Sequence, residues 1–294
     1  LSRYPGCEVI GPLSRGADDE PDPQLLADRL DAHLVLDGSV RQDAARLRVM
    51  VRLVDGITGA VIWSHSYEDT ASGTAYFEAK ANIAARVAAA LADYQGVAMR
   101  APLTPSTRPG NPVVFEALRQ FYAWGDMLDF DRYDEVIGSL EEALAIEPRN
   151  TTVMAVLAGA HYLGPQGHND DPTGRGIELA RRAHEIDPTL ATPVLVFSVR
   201  EIHLGNLDAA AMWARRAAQL SPNHPTVLYT AGLNLVSALQ WEEGLELIEQ
   251  AMDLTPNHPD YWFAVHAMDA LRRCEWERAL ALGPHRDLVR VVEE

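Results

Sequence analysis

Residues 224–256 read HPTVLYTAGLNLVSALQWEEGLELIEQAMDLTP and contain the pattern that decides the fold. The stretch ends in a six-residue phrase, 251–256, that begins with a small residue and finishes with proline. Similar phrases occur three times earlier in the chain, and the four prolines are 40, 34 and 34 residues apart: Pro148, Pro188, Pro222 and Pro256. A recurrence at this spacing predicts a chain built from repeated structural units.

Each phrase has the chemistry of a helix end. The proline ring clashes with the preceding turn and offers no N–H, so it ends a helix, while the alanine five positions earlier permits a close helix crossing. Like the alanine, Gly232 is a small residue that permits a close crossing, here on the first helix of its unit. Trp241 begins the second helix of that unit, and residues 205–207 make the turn between the helices of the preceding unit. A period of 34 residues is typical of the tetratricopeptide repeat, two antiparallel helices that bury their apolar faces only against neighbouring pairs.

The remaining units depart from this length. The unit ending at Pro148 holds about four extra residues around 125–131, and the next holds six within 164–176; both insertions are expected between the two helices of their units. A fifth unit begins after Pro256, with Trp276 in a helix-packing position, and Gly283-Pro284 shortens it into a degenerate cap. We therefore expect an all-α superhelix of about four repeats plus the cap over residues 113–294.

The first third of the chain alternates with a period of 2, as strands do. Apolar side chains at 47, 49, 51 and 53 alternate with Arg46, Arg48, Met50 and Arg52. Flanking strands over 33–40 and 60–68 complete an antiparallel meander, a further strand is expected over 7–12, and helices over 22–30 and 75–94. This order predicts an α/β domain with a mixed sheet over residues 1–98, joined by a proline-rich linker, 99–112.

Composition excludes several classes of function. The chain has 294 residues, 47% of them hydrophobic, and a formal net charge of -17, so it should not bind nucleic acid or anionic membranes by itself. Cys7 and Cys274 lie far apart, which argues against a disulfide scaffold and fits a reducing cytoplasm. Since residue 1 is leucine, we expect the chain to be an excised portion of a longer protein.

Residues 33–69 resemble the TolB-like amino-terminal domain family. The matching elements are Gly38-Ser39-Val40-Arg41, Asp55, Thr58-Gly59, Trp63 and Tyr67. In bacterial regulators similar to this pairing, a class III adenylate cyclase domain or an OmpR-type winged-helix domain precedes the TolB-like domain and the repeats. The resemblance implies control of such an effector in a bacterial signalling protein, with the effector outside this chain. It also implies that the family's opening strand and helix are absent here.

No arrangement of residues predicts catalysis, and no cofactor is expected. Metallopeptidase, hydrolase-elbow and P-loop motifs do not occur. His168, Asp170 and Asp171 could ligate a cation, but the spacing of a calcium loop is absent and a solvated turn is the favoured interpretation. Gly38-Ser39 lacks a following helix N-terminus that could bind phosphate, so a tight strand approach is favoured.

Arginines 46, 48 and 52 form either a solvated face or a docking site for acidic groups. Trp63, Tyr67, Trp241 and Trp276 are interpreted as packing residues.

The repeats carry the main functional hypothesis. In a superhelix the first helix of each unit lines a concave surface that can hold a peptide or a partner helix. The period places seven residues there: Tyr162, Leu195, Val199, His203, Tyr229, Leu233 and Val236. They are mainly apolar, so no carboxylate clamp is expected; the alternative is that neighbouring helices cover several of them.

Three functions follow, in order of preference. The first is a non-enzymatic region that binds a protein partner or self-associates, for example as a homodimer, and so controls an effector by population shift. The second is a sensor whose α/β domain binds a small ligand in a cleft at the sheet edge. An enzyme is third, because no polar cluster in a pocket is evident.

Overall fold

A computed structural model describes residues 10–11, 22–42, 46–70, 75–92, 111–127, 130–164, 174–255 and 258–282. The chain forms two compact units, Leu1–Arg119 and Gln120–Glu294. The first unit ends within a helix, and the predicted linker falls almost entirely outside the described residues. The predicted domain boundaries therefore stay a prediction.

The first unit is built on the predicted meander. Its elements are α1 (Pro23–Leu30), β1 (Leu34–Gln42), β2 (Arg46–Asp55), β3 (Val61–Thr70), α2 (Ala75–Ala92) and the start of α3 (Pro112–Met127). The strands lie in the order β1-β2-β3, and both pairings are antiparallel. The strand predicted over 7–12, which would make the sheet mixed, lies outside the described residues except Ile10 and Gly11, which are not in a strand.

Local sequence explains these elements. The Asp22 carboxylate accepts a hydrogen bond from the Gln24 N–H, and Pro23 fills the first helical position of α1. In the turn between β2 and β3, the Asp55 carboxylate accepts hydrogen bonds from the N–H groups of Ile57 and Thr58. The Thr58 N–H is the main cause of a lowered pKa at Asp55. Gly59 closes the turn with φ +69°, a conformation that suits glycine.

The sheet is packed on both faces. Leu47 and Val51 of β2 and Tyr67 of β3 are buried against Ala79 and Ile83 of α2, which confirms the predicted alternation. Beyond Leu53 the pairing with β3 shifts register, and Val54 is buried with Val35 against α1 on the opposite face. Phe115 of α3 packs against Leu34 and Ile62 of the sheet.

The second unit consists of consecutive helical hairpins. After α3 and a 3-10 turn (Phe130–Arg132) follow α4 (Tyr133–Ile146), α5 (Thr151–Leu163), α6 (Arg175–Ile186), α7 (Ala191–His203), α8 (Leu207–Leu220), α9 (Pro225–Ser237) and α10 (Trp241–Leu254). A 3-10 turn (Asp260–Phe263), α11 (Ala264–Arg272) and α12 (Trp276–Leu282) complete the described part. Of the two predicted insertions, residues 125–127 of the first belong to α3, whereas residues 128–129 and most of the second, 165–173, lie outside the described residues.

The recurring alanines mark equivalent corners. Ala143, Ala183, Ala217 and Ala251 are each 0% exposed. In all four cases the N–H four residues later donates to the alanine carbonyl oxygen and ends the helix. Pro148, Pro188 and Pro222 lie in the turns directly after these helix ends, and Pro256 lies outside the described residues. The helical hairpin repeat predicted from the period is thus observed.

Glycine allows the closest helix crossing in the repeat. A Cβ at Gly232 of α9 would lie 2.6 Å from the Gly244 carbonyl oxygen, and a Cβ at Gly244 of α10 would lie 2.7 Å from the Gly232 carbonyl oxygen. Contacts this short cannot accommodate a side chain, so the two backbones meet because both residues are glycine. This confirms the role predicted for Gly232.

The last hairpin differs from the expectation. Ala279 is buried, whereas Trp276 is 61% exposed, so its assignment as a packing residue was wrong. α11 and α12 span only 9 and 7 residues and offer Trp276 little helix to pack against. Residues 283–294, assigned to the cap, lie outside the described residues. Nowhere in the described ranges is a helix both long and apolar enough to cross a membrane.

We expect Gly232→Ala to destabilise the chain by about 1–3 kcal/mol, because the added methyl group overpacks the α9–α10 crossing. Gly159→Ala is the matched control, since a Cβ at Gly159 of α5 would meet nothing within 4 Å. That change should stabilise the helix by roughly 0.5–1 kcal/mol. Urea unfolding followed by circular dichroism measures both values, and a stabilising Gly232→Ala would contradict the proposed crossing.

Candidate functional site

The first helices of three successive hairpins carry the predicted partner-binding residues. α5 holds Tyr162, α7 holds Leu195, Val199 and His203, and α9 holds Tyr229, Leu233 and Val236. We call these seven residues the A-helix row. Residues 195 and 229, and residues 199 and 233, are each separated by one repeat of 34, so each pair occupies equivalent positions on neighbouring hairpins.

Adjacent members of the row contact one another. The ring centroids of Tyr162 and His203 lie 5.7 Å apart, which brings α5 and α7 together at this end of the row. His203 Nδ1–H donates to the Val199 carbonyl oxygen over 2.8 Å. Because this bond orients the ring and fixes its tautomer, Nε2 of the neutral imidazole is the acceptor nitrogen. His203 is exposed, and Tyr162 and Val199 are half-buried.

Three members of the row are buried, as the alternative interpretation anticipated. Leu195, Tyr229 and Val236 are 7%, 7% and 6% exposed and belong to the hydrophobic core of α7–α10. The Tyr229 ring stacks on Trp262 with centroids 4.3 Å apart and planes inclined by 5°. Burial raises the pKa of Tyr229, and the nearby Tyr261 adds to the rise. These residues support the surface rather than forming it. Of the other four, His203 is exposed, and Tyr162, Val199 and Leu233 are half-buried, with Leu233 packed against the same core.

Two aromatic residues missed by the sequence reasoning extend the accessible surface. Phe263 lies one 34-residue period after Tyr229 and is 38% exposed, and Tyr261 packs edge-on against Tyr229 with centroids 5.9 Å apart. The period would have identified Phe263.

Polar contacts beneath the row fix α7 and α9. The Ser198 hydroxyl is fully buried and donates to the Ala210 carbonyl oxygen over 2.8 Å, which joins α7 to α8. The buried Asn234 amide donates to the Leu195 carbonyl oxygen over 3.3 Å, which joins α9 to α7. A buried hydrogen bond has a defined geometry, so the Asn234 contact helps to set the position of α9 relative to α7, and the Ser198 contact that of α7 relative to α8.

Charge is scarce on these helices. Arg200 is the one lysine or arginine in α5, α7 and α9, and its guanidinium lies 2.6 Å from the Glu201 carboxylate. Glu201 also accepts a hydrogen bond from Asn206 over 2.7 Å. The accessible row is therefore apolar and aromatic, which suits apolar side chains of a partner better than a terminal carboxylate.

The basic stripe of the first unit is paired across strands. Arg48 and Glu68 lie directly opposite in the β2–β3 register and form an ion pair of 2.5 Å. Arg52 lies opposite Asp37 in the β1–β2 register, and both its Nε and Nη2 donate to one carboxylate oxygen. This arrangement favours the solvated-face interpretation for Arg48 and Arg52, because their charges are balanced within the sheet.

The other candidate sites are structural or lie outside the described residues. Gly38 is paired with Val51, and a Cβ there would collide with the Met50 carbonyl oxygen, as expected for a tight strand approach. Trp63 and Tyr67 pack against α2. His168, Asp170 and Asp171 are outside the described residues, and within the described ranges no three His, Cys, Asp or Glu side chains cluster as a metal site would require.

An apolar groove lies between β1 and α2. α2 contacts β2 and β3, and beside it Leu36 and Val40 of β1 are 39% and 64% exposed. The groove has a volume of about 490 Å³; its floor includes Leu36, Val40 and Val49, and its wall includes Ala84 and Val87 of α2. Lys80 is the one cation at its rim among the lining residues.

Comparison with known proteins gives limited matches. No family model matches the chain. Seventy residues, 23% of this chain, are 36% identical to part of the putative adenylate cyclase 3 of Rhizobium meliloti (strain 1021). The match spans only 12% of that protein.

Solved structures of MamA share a limited likeness with the chain. One covers 55% of this chain and 89% of its own, with a TM-score of 0.36 and 15% identity. A second, designated AMB-1, covers 58% of this chain and 85% of its own, with a TM-score of 0.34 and 19% identity. The helical repeat assigned here depends on the hairpins themselves and not on these likenesses.

The burial of Tyr229 predicts a specific alkaline response. Because its pKa in the folded chain is raised above the ordinary value of 10.0, the folded chain holds this proton more tightly than the unfolded chain. Stability should fall as pH rises above about 10. In Tyr229→Phe the fall should be clearly smaller, whereas in Tyr261→Phe, which removes only the lesser cause of the raised pKa of Tyr229, it should stay close to that of the wild type. Thermal melts between pH 8 and pH 11 measure it, and identical profiles for all three chains would contradict the assignment.

Proposed function

We propose that this chain is a non-enzymatic protein-interaction region whose accessible A-helix residues hold an apolar segment of a partner protein. The observation that carries the proposal is the run of Tyr162, Val199, His203 and Leu233, which places one exposed and three half-buried side chains on the first helices of three successive hairpins. Their supports, Ser198 and Asn234, are hydrogen-bonded in the core, so the surface is preorganised before a partner arrives.

The spacing of the row indicates the kind of segment it fits. Val199 and Leu233 occupy equivalent positions on the neighbouring helices α7 and α9, and packed helix axes are typically about 8–10 Å apart. Two side chains seven residues apart on one face of a helix are separated by roughly 10 Å. A partner helix with apolar anchors at that interval would contact both positions at once.

We further propose that the interaction regulates an effector carried by a longer protein. The TolB-like pattern around Gly38-Ser39-Val40-Arg41 and the partial match to a putative adenylate cyclase support this assignment. A partner that binds one arrangement of the repeats better than another would bias the effector by its difference in affinity. The proposal requires that antibodies against this chain detect, in the source cells, a polypeptide larger than 32.3 kDa.

The binding surface is tested by charge insertion. A protein enriched from the source cells by the wild-type chain is identified, purified and titrated against three variants: Val199→Asp, Leu233→Asp and Met212→Asp. Each of the first two should weaken binding about tenfold or more, because an unpaired carboxylate would be buried in the interface. Met212 is 51% exposed on α8, outside the row, so Met212→Asp should bind as the wild type does.

Circular dichroism confirms that each variant is folded. Equal affinity of the wild type and both row variants would place the partner on another surface. Failure of the wild-type chain to bind any protein directly after purification would remove the proposal.

A second candidate function is small-molecule sensing in the first unit. The groove beside β1 has a volume of about 490 Å³, within the range of small-molecule sites, and its lining is mainly apolar, with Lys80 and Asp37 as its charged residues. A ligand of matching chemistry is an apolar molecule with one carboxylate directed toward Lys80.

Thermal shift assays with fatty acids and aromatic carboxylates test this candidate. Binding at 100 times the Kd should stabilise the chain by about 2.7 kcal/mol and raise the melting temperature. Ala84→Trp should abolish the shift, because the indole fills the groove from the exposed side of α2. Ala81→Trp, at another exposed position of α2 that is not among the lining residues, should leave the shift unchanged. A ligand shift that persists in Ala84→Trp would exclude the groove.

A further inference from the structure

Among the described residues, β1 is an edge strand of the sheet. The strand order is β1-β2-β3, so within the described residues β1 pairs with β2 on one side and with no strand on the other. The strand is 9 residues long, and the N–H and C=O groups of such an edge are a template for another strand.

An uncompensated charge lies along this strand. Arg41 is directly opposite Arg48 in the β1–β2 register, and like charges in that position repel each other. Arg48 is balanced by Glu68, whereas Arg41 is exposed and has no ion pair within the described parts of the chain. An edge partner that presents a carboxylate opposite Arg41 would relieve the repulsion.

The strand itself carries such a carboxylate, that of Asp37, which would then be shared between Arg52 of its own copy and Arg41 of the other. Asp37 and Arg41 are symmetric about Ser39 in the sequence LVLDGSVRQ. If a second copy of β1 pairs antiparallel with the first across a two-fold axis at Ser39, Asp37 of each copy lies opposite Arg41 of the other. Directly opposed residues have Cβ atoms about 4.5–5.5 Å apart, so two identical ion pairs can form.

The opposite face of the strand is compatible with the same register. Val40 lies on the groove face and is 64% exposed. Under the same symmetry it would be opposite Gly38 of the second copy, which has no side chain. The isopropyl group would therefore cover open backbone, and the exposed apolar surface of each copy would be reduced.

We propose that this chain forms a symmetric dimer in which residues 36–42 of two copies pair as antiparallel edge strands. The dimer joins two three-stranded sheets into a continuous six-stranded sheet. Its specificity comes from the two Asp37–Arg41 pairs, and its position in the first unit is separate from the A-helix row. Failure of the partner-binding proposal would leave this one unaffected.

The first test is the mass of the chain in solution. Sedimentation of the wild-type chain at low ionic strength should give a concentration-dependent species of twice 32.3 kDa. Arg41→Asp should weaken dimerisation at least tenfold, because four carboxylates would then face one another. Arg29→Asp makes the same charge change at an exposed position of α1 and should not alter the dimer. Arg41→Ala, which adds no repulsion, should weaken it less than Arg41→Asp.

The second test fixes the register. In a chain with Cys7→Ser and Cys274→Ser, Ser39→Cys should form an intersubunit disulfide on mild oxidation, because residues facing each other across the axis have Cα atoms about 4.5–5.5 Å apart. Gln42→Cys should not, because the two copies of that residue would be about 20 Å apart along the strands.

A chain that stays monomeric at roughly 100 µM, a concentration sufficient for a dimer of micromolar affinity, would overturn the proposal. A dimer that Arg41→Asp leaves intact, or equal cross-linking through positions 39 and 42, would overturn it as well. Folding of each variant is checked by circular dichroism, so that loss of the dimer is not confused with loss of structure.

Discussion

The closeness of the helix crossings is the constraint on which the repeat region depends. Four alanines with no exposed surface sit where the second helix of each hairpin meets its neighbours, and at one crossing Gly232 and Gly244 bring two backbones together. A larger residue at these points would separate the helices and open the core on both sides, since interiors tolerate little change in volume. The hydrogen bond from the fourth following N–H to each alanine carbonyl then ends the helix at the same point in every hairpin.

This constraint explains how much of the fold the sequence could predict. In the six-residue phrase the alanine indicates the close helix crossing and the proline indicates the end of the helix. The hairpins and the positions of their connections could therefore be predicted from the spacing of the phrases. The strand meander could be predicted as well, because alternation specifies one buried face. The exposure of Trp276 could not be predicted. The period places Trp276 on a helix but does not say whether a neighbouring helix covers it.

In the candidate site, too, the sequence period does not determine which residues are covered by neighbouring side chains. A period identifies which residues share a face, and all seven residues of the A-helix row do lie on the first helices. Which of them remain accessible depends on side chains from the adjacent hairpin: Trp262 stacks on Tyr229, which is 7% exposed, while Leu233 is half-buried. The pairing of Arg48 and Arg52 was hidden for a related reason. Cross-strand neutralisation is set by strand register, which alternation along one strand does not determine.

The distribution of charge separates the two kinds of contact that the chain can make. Most arginines among the described residues are engaged by carboxylates of the same chain, including Arg175 with Glu141 and Arg215 with Glu243 between successive hairpins. The accessible A-helix residues carry no such charge, so binding there depends on apolar burial and changes little with ionic strength. Arg41 has no ion pair within the described residues. In the proposed dimer, the two-fold axis at Ser39 would place Asp37 of the second copy opposite Arg41. Contacts at that edge are electrostatic and sensitive to salt, so ionic strength distinguishes one surface from the other without any change to the sequence.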